Sequence, residues 1–203
     1  GKSGFLGFGR LSARARLGIL VPAGVTPDLT TSKGTIQARG DFSGARPLWL
    51  RSMTGDISLT GAAASLRVDG ADGDINIEVI RPLEAFTAGT SSGDVRLVGG
   101  AQEAKVSTAS GKIWLENLSG SIDVSTSTGK VTITWDRLDP DATVRIRSSS
   151  GRVQLVVPDG VHPRGTLNTT TGNIRSELPG EVIDDGTTLR LSGDGPVFDV
   201  ETA

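Results

Sequence analysis

Asp56, Asp74 and Asp94 each stand directly after a glycine and directly before an isoleucine or valine. Lys112, Lys130 and Arg152 occupy the same place in three later copies of the phrase. If the copies stack at the ~4.8 Å spacing of neighbouring strands, their outward side chains form an acidic stripe followed by a basic one. Carboxylates that close repel one another unless a cation lies between them, and Ca²⁺ takes all-oxygen ligands. The three aspartates are therefore a candidate Ca²⁺ site, with a solvated charged face as the alternative.

Other candidates for chemistry are few. Asp69, Asp72 and Asp74 in DGADGDINIEV (69–79) sit in a glycine-rich corner that resembles calcium-binding β-roll repeats. The phrase occurs once, whereas such sites draw ligands from adjacent repeats. His162, the one histidine, lies in the variable stretch VVPDGVHPRG. With no cysteine the chain has no disulfide, no thiolate nucleophile and no thiolate metal ligand, and a lone histidine is a poor basis for a zinc site. The string G-x-S-x-G occurs at Gly89–Gly93, but it ends on a corner glycine of the strand repeat with no helix pattern after it, so it is not read as a nucleophile elbow and no catalytic residue is assigned. Trp49 and Trp114 are the binding candidates: their place in the repeat points them outward, where an indole can stack on a sugar or anchor a protein partner. Trp135, in TWDRLDPDA, begins a longer connection that it can cover.

The elements that position these residues come from the repeat itself. Gly34, Gly55, Gly73, Gly93, Gly111, Gly129, Gly151 and Gly172 recur at intervals of 18 to 22 residues. Aliphatic residues stand two and four positions after most anchors, as in Val131/Ile133, and seven and five positions before them, as in Ile122/Val124; at Gly172 the pattern weakens to Ile174/Ser176 and Gly165/Leu167. That is strand alternation on both sides of the glycine. The apolar parity is odd before the anchor and even after it. The inward face therefore switches at the glycine, which can adopt the positive φ that such a corner needs. Hydroxyls at the third and first positions before the anchor, as in Thr126/Thr128, share the inward parity and are expected to lean into the corner. This argues against an outward threonine array of the ice-binding kind.

Two strands per repeat cannot bury their apolar face alone, but stacked repeats can. The pattern predicts an all-β fold, a β-solenoid of about nine ~20-residue coils with two short strands each, over residues 15–203. A sandwich of hairpins is the competing fold. Residues 1–14, rich in Phe, Leu, Lys and Arg, read as a cap on the stack, with a membrane-surface or partner contact as the alternative. Leu189/Leu191 before Pro196, and Phe198/Val200 after it, read as the last coil. Its end at Ala203 predicts an open edge and end-to-end association there.

The repeated S-x-S-G-x-[IV]-x-[LI] units resemble a bacterial adhesin-like family of glycine-punctuated β-strand repeats, catalogued as domains of unknown function. The resemblance covers residues 15–203, including the closing GDGPVF. It implies a β-solenoid, attachment to the bacterial cell envelope, an adhesive or envelope-stress role, and no catalytic residues. A net charge of -2 and a pI near 5.5 predict no nucleic-acid partner. No apolar run approaches the ~18 residues of a spanning helix. The expected function is a non-enzymatic envelope scaffold or adhesin-like module with a protein or surface-glycan partner and no cofactor beyond Ca²⁺. The alternative is a carbohydrate-binding or carbohydrate-cleaving solenoid.

Overall fold

A strand with aliphatic residues on one face is stable only when another apolar face covers it, and each repeat supplies two such strands to its neighbours. The computed structural model describes residues 22, 25–44, 46–171 and 173–203. The proposed cap, residues 1–14, and the anchor Gly172 lie outside the described residues. Eighteen strands follow in order among the described residues. The first seven are β1 (Asp28–Thr31), β2 (Ile36–Phe42), β3 (Leu48–Thr54), β4 (Ile57–Ala63), β5 (Ser65–Asp72), β6 (Ile75–Val79) and β7 (Leu83–Ser92). Next come β8 (Val95–Val98), β9 (Ala101–Ser110), β10 (Ile113–Leu118), β11 (Ser121–Thr128), β12 (Val131–Trp135), β13 (Thr143–Ser150) and β14 (Val153–Val156). The last four are β15 (Arg164–Thr169), β16 (Gly180–Ile183), β17 (Thr188–Ser192) and β18 (Val197–Thr202).

Odd strands β1 to β13 stack in chain order in one sheet, and even strands β2 to β14 stack in the other. All neighbours in these two runs are parallel, so the chain winds as a β-solenoid of about 6 turns. Register follows the repeat: Val124 faces Val106 on one side and Ile146 on the other, and Ile113 lies between Val95 and Val131. These aliphatics are buried between the sheets in a continuous core. Each fully buried one contributes roughly 1.5–3 kcal/mol.

The corner glycines carry φ between +125° and +148°. A Cβ on Gly55 would lie 2.6 Å from the carbonyl oxygen of Gly34, and the same collision with the preceding glycine recurs up the stack to Gly151. The glycine N–H donates to the carbonyl of the residue before the next coil's anchor, as Gly111 N does to Thr128 O at 3.1 Å. The hydroxyl three positions before the anchor donates to the same oxygen: Thr126 Oγ1 lies 3.3 Å from Thr128 O. Two donors thus satisfy one carbonyl. Only this hydroxyl is buried; its companion one position before the anchor, expected inside, is exposed because the backbone has already begun to turn. The pairing shows the turn, running from Thr126↔Thr108 to Thr128↔Ser110 with a residue omitted.

The regular winding ends after β14, which corrects the expected nine coils. Residues 173–179 form no strand, so the phrase TTTGNIRS does not build a second strand after its glycine. Leu189 and Leu191 lie on β17, which runs antiparallel to β15. Phe198 and Val200, expected after a corner, instead pair with Val144 and Ile146 before one. β18 therefore lies inside the sheet, between β13 and β15, and not at an open edge. Outward charge suits that place: Arg145 and Arg147 on β13 lie 3.6 Å and 3.9 Å from Asp199, and Arg147 is 3.5 Å from Glu201. Trp135, half-way to the C-terminal region, is buried edge-on to Phe198 at 6.3 Å and donates to Gly120 O.

Gly111 and Gly160 both have positive φ, but only Gly111 has a backbone carbonyl where its Cβ would go. Gly160→Ala is expected to cost the ~1–3 kcal/mol of strained backbone alone. Gly111→Ala should cost more than ~4 kcal/mol, since the coils must move apart. Thermal unfolding of the two variants checks this, and equal midpoints would refute the stacking constraint.

Candidate functional site

The acidic stripe is built by the corner. Asp56, Asp74 and Asp94 follow their glycines on successive coils, and each turns its carboxylate toward the next. Asp56 Oδ1 accepts the Asp74 N–H at 3.0 Å, Asp74 Oδ1 accepts the Asp94 N–H at 2.8 Å, and Asp94 Oδ1 accepts the Lys112 N–H at 2.7 Å. Asp94 Oδ2 also lies 3.8 Å from Lys112 Nζ. Each carboxylate thus has a backbone donor that lessens repulsion along the stripe. Among the described residues, no three His, Asp or Glu side chains are arranged to hold a metal ion. Asp69 and Asp72, the other corner acids, sit on β5; Asp72 supplies its carbonyl to Gly55 N.

Asp69 belongs to a different cluster, on the outer face of β3 and β5. Its Oδ2 accepts from Trp49 Nε1 at 3.0 Å, Arg67 Nε at 3.2 Å and Arg51 Nη2 at 3.3 Å. Both guanidinium carbons lie 5.1 Å from the Trp49 ring centre, so the indole is held between two cations. Partial burial alone would raise the Asp69 carboxyl, but the hydrogen bonds from Trp49, Arg67 and Arg51 outweigh it and hold the group below the ordinary carboxylate range. Arg51 and Arg67 carried a legible signal: Trp49 and Arg67 share one column of the repeat, and Arg51 and Asp69 share another, so stacking had to bring all four together.

Trp114, on β10 in the outer face of the seven-stranded sheet, is 47% exposed. In register it stands between Arg96 and Thr132, with the Arg96 guanidinium 5.8 Å from its ring centre. Lys112 is two residues away on the same face. Trp49 and Trp114 lie on different sheets, so they form no joint surface.

Among the described residues, two hollows bring candidate residues together. A cleft of about 800 Å³ opens between the free edge of β14 and residues 173–178, floored by Phe198 and Val200; Glu177 is its one carboxylate among the described residues. A groove of about 490 Å³ gathers Glu84, Glu103, Asp139 and Asp141, with Asp139 already 3.3 Å from Arg137 Nε. His162 is exposed and contributes to neither.

A family model described as Toastrack DUF4097 matches residues 47–191. The chain belongs to this family. The match begins just before β3 and ends within β17, so it takes in the winding coils and the antiparallel turn-back beyond them. Toastrack is a domain of unknown function. No curated protein and no solved structure matches the chain.

Because the folded-state pKa of Asp69 is depressed, its stabilising effect is present above the ordinary carboxylate pKa of ~3.9 and is lost as pH falls through the folded value. Asp69→Asn should therefore lower the thermal midpoint at pH 7, and the gap from wild type should close progressively below about pH 4. A gap that persists unchanged at low pH would rule out the charged cluster as its cause.

Proposed function

We propose that this Toastrack domain is a non-enzymatic scaffold and adhesin-like binding module of the bacterial cell envelope. One observation carries the reading: the outward acids most suited to chemistry are engaged by their own stack. Asp56, Asp74 and Asp94 each accept a backbone N–H of the next coil, and Asp69 is held by Trp49, Arg51 and Arg67. A catalytic acid needs a reacting group within hydrogen-bond reach and a pKa suited to proton transfer. A scaffold needs only rigid coils and an outward face that varies without disturbing the core. The repeat separates these tasks, because inward positions hold the fold while outward positions are free to differ.

A specific observation favours the second reading, a carbohydrate-cleaving solenoid: Glu84, Glu103, Asp139 and Asp141 line one groove. Cleavage of a glycosidic bond uses a pair of carboxylates. Against it, the groove has no aromatic platform, and Trp114 lies outside it.

Two measurements test the choice. Fractionation of cells producing the full gene product should place it with the envelope; recovery in the cytosol would overturn the location. Incubation with neutral and acidic polysaccharides should release no new reducing ends. Release abolished by Glu84→Gln or Glu103→Gln would replace the scaffold with the hydrolase.

A further inference from the structure

The change from aspartate to lysine along the stripe changes what its N–H groups meet. In the acidic half, the N–H one residue after the corner glycine is accepted by the aspartate of the preceding coil, at 2.7 to 3.0 Å. In the basic half the preceding side chains are Lys112 and Lys130, which carry donors only. Among the described residues no acceptor reaches the N–H of Lys130 or of Arg152. Two N–H groups on adjacent coils therefore lie open beneath Lys112, Lys130 and Arg152, all exposed. Lys112 retains a loose 3.8 Å contact with Asp94, while Lys130 and Arg152 have no ion-pair partner among the described residues. The protein shows what fits such a position, because Asp94 places a carboxylate there one coil earlier.

Trp114 lies on the same face. Lys112 and Trp114 are alternate residues at the start of one strand, roughly 6.6 Å apart, and the neighbouring coils are ~4.8 Å away. Thr132 and Gln154 continue its row beside Lys130 and Arg152, so no second aromatic side chain follows the indole there. An exposed aromatic stacks on the apolar face of a sugar ring. A cation row with free N–H groups takes a carboxylate.

We propose that this face of the seven-stranded sheet binds an acidic sugar of the uronate class. The sugar carboxylate takes the place beside Lys130 and Arg152 that the stripe's own aspartates take on earlier coils, and a pyranose ring of the same chain stacks on Trp114. An acidic peptide supplies the carboxylate but no ring face, and a phosphate matches neither the planar stand-in nor the indole. The assignment rests on the reading of the domain as a binding module and specifies its ligand class.

Calorimetric titration of the full chain with polygalacturonate oligomers, their methyl esters and poly-L-glutamate tests it at low ionic strength. The acidic glycan should bind, and the ester and the polypeptide should bind at least about tenfold more weakly, since each lacks one of the two contacts. Trp114→Ala should weaken glycan binding about tenfold, the scale of a lost aromatic stack. Lys130→Asp is the diagnostic variant: its carboxylate would accept the Arg152 N–H as Asp94 accepts that of Lys112, so binding should vanish while the thermal midpoint holds or rises. Arg39→Asp, remote on β2, should bind like wild type. Equal binding of ester and acid, full binding by Lys130→Asp, or poly-L-glutamate binding independent of Trp114 would each overturn the proposal. So would absence of any glycan binding, and envelope fractionation would then still judge the binding-module reading separately.

Discussion

At each corner the glycine α-carbon lies against the carbonyl of the glycine one coil earlier, in a space that a Cβ would have to share. The spacing of the whole stack depends on this approach. It lets the glycine N–H reach the next coil's carbonyl, which keeps the corner's polar groups bonded where two sheets meet. The same approach brings the hydroxyl three residues earlier onto that carbonyl, and it places each aliphatic side chain on its counterpart in the adjacent coils. Core packing and corner bonding are thus consequences of one distance. A larger residue would add volume at the corner and also pull apart strands that the aliphatics require at ~4.8 Å.

The outer surface obeys the same stacking rule with different chemistry. A column of like residues is tolerable only if each finds a partner along or beside the column. The aspartates find backbone donors on the next coil, and Asp69 finds two guanidinium groups and an indole. Arg145 and Arg147 find the acids of β18. Surface ion pairs of this kind contribute little each, typically below ~1 kcal/mol, because solvent screens them. Their greater effect here is on register: opposite charges meet only when the coils align in one way.

The winding coils were legible because inward positions repeat under a single constraint. Val124, Val131 and Ile133 declare their face by parity, and Gly129 declares the switch. Three things were less legible. The hydroxyl of Thr128 kept the inward parity yet points out, since parity lapses where the backbone turns before the glycine. Phe198 and Val200 fit the alternation on either side of a corner, and alternation carries no direction of pairing; only the facing charges of Arg145/Asp199 and Arg147/Glu201 distinguish the two. The partners of Trp49 were written in the columns of the repeat, but reading them requires comparing one coil with the next instead of neighbours in sequence.

The place of β18 has a consequence for how the chain is made. Each coil from β1 to β14 can dock on its predecessor as it emerges during synthesis, since the strands it stacks on are already in place. β15 cannot: its parallel neighbour is β18, and β13 likewise gains its second neighbour only from residues 197–202. The antiparallel strands β16 and β17 hang on β15. A growing chain is therefore a processive winding up to Val156 and an unlatched terminus beyond it. Residues 197–202 act as a buckle, and the region beyond Val156 can close only once that strand is free to pair.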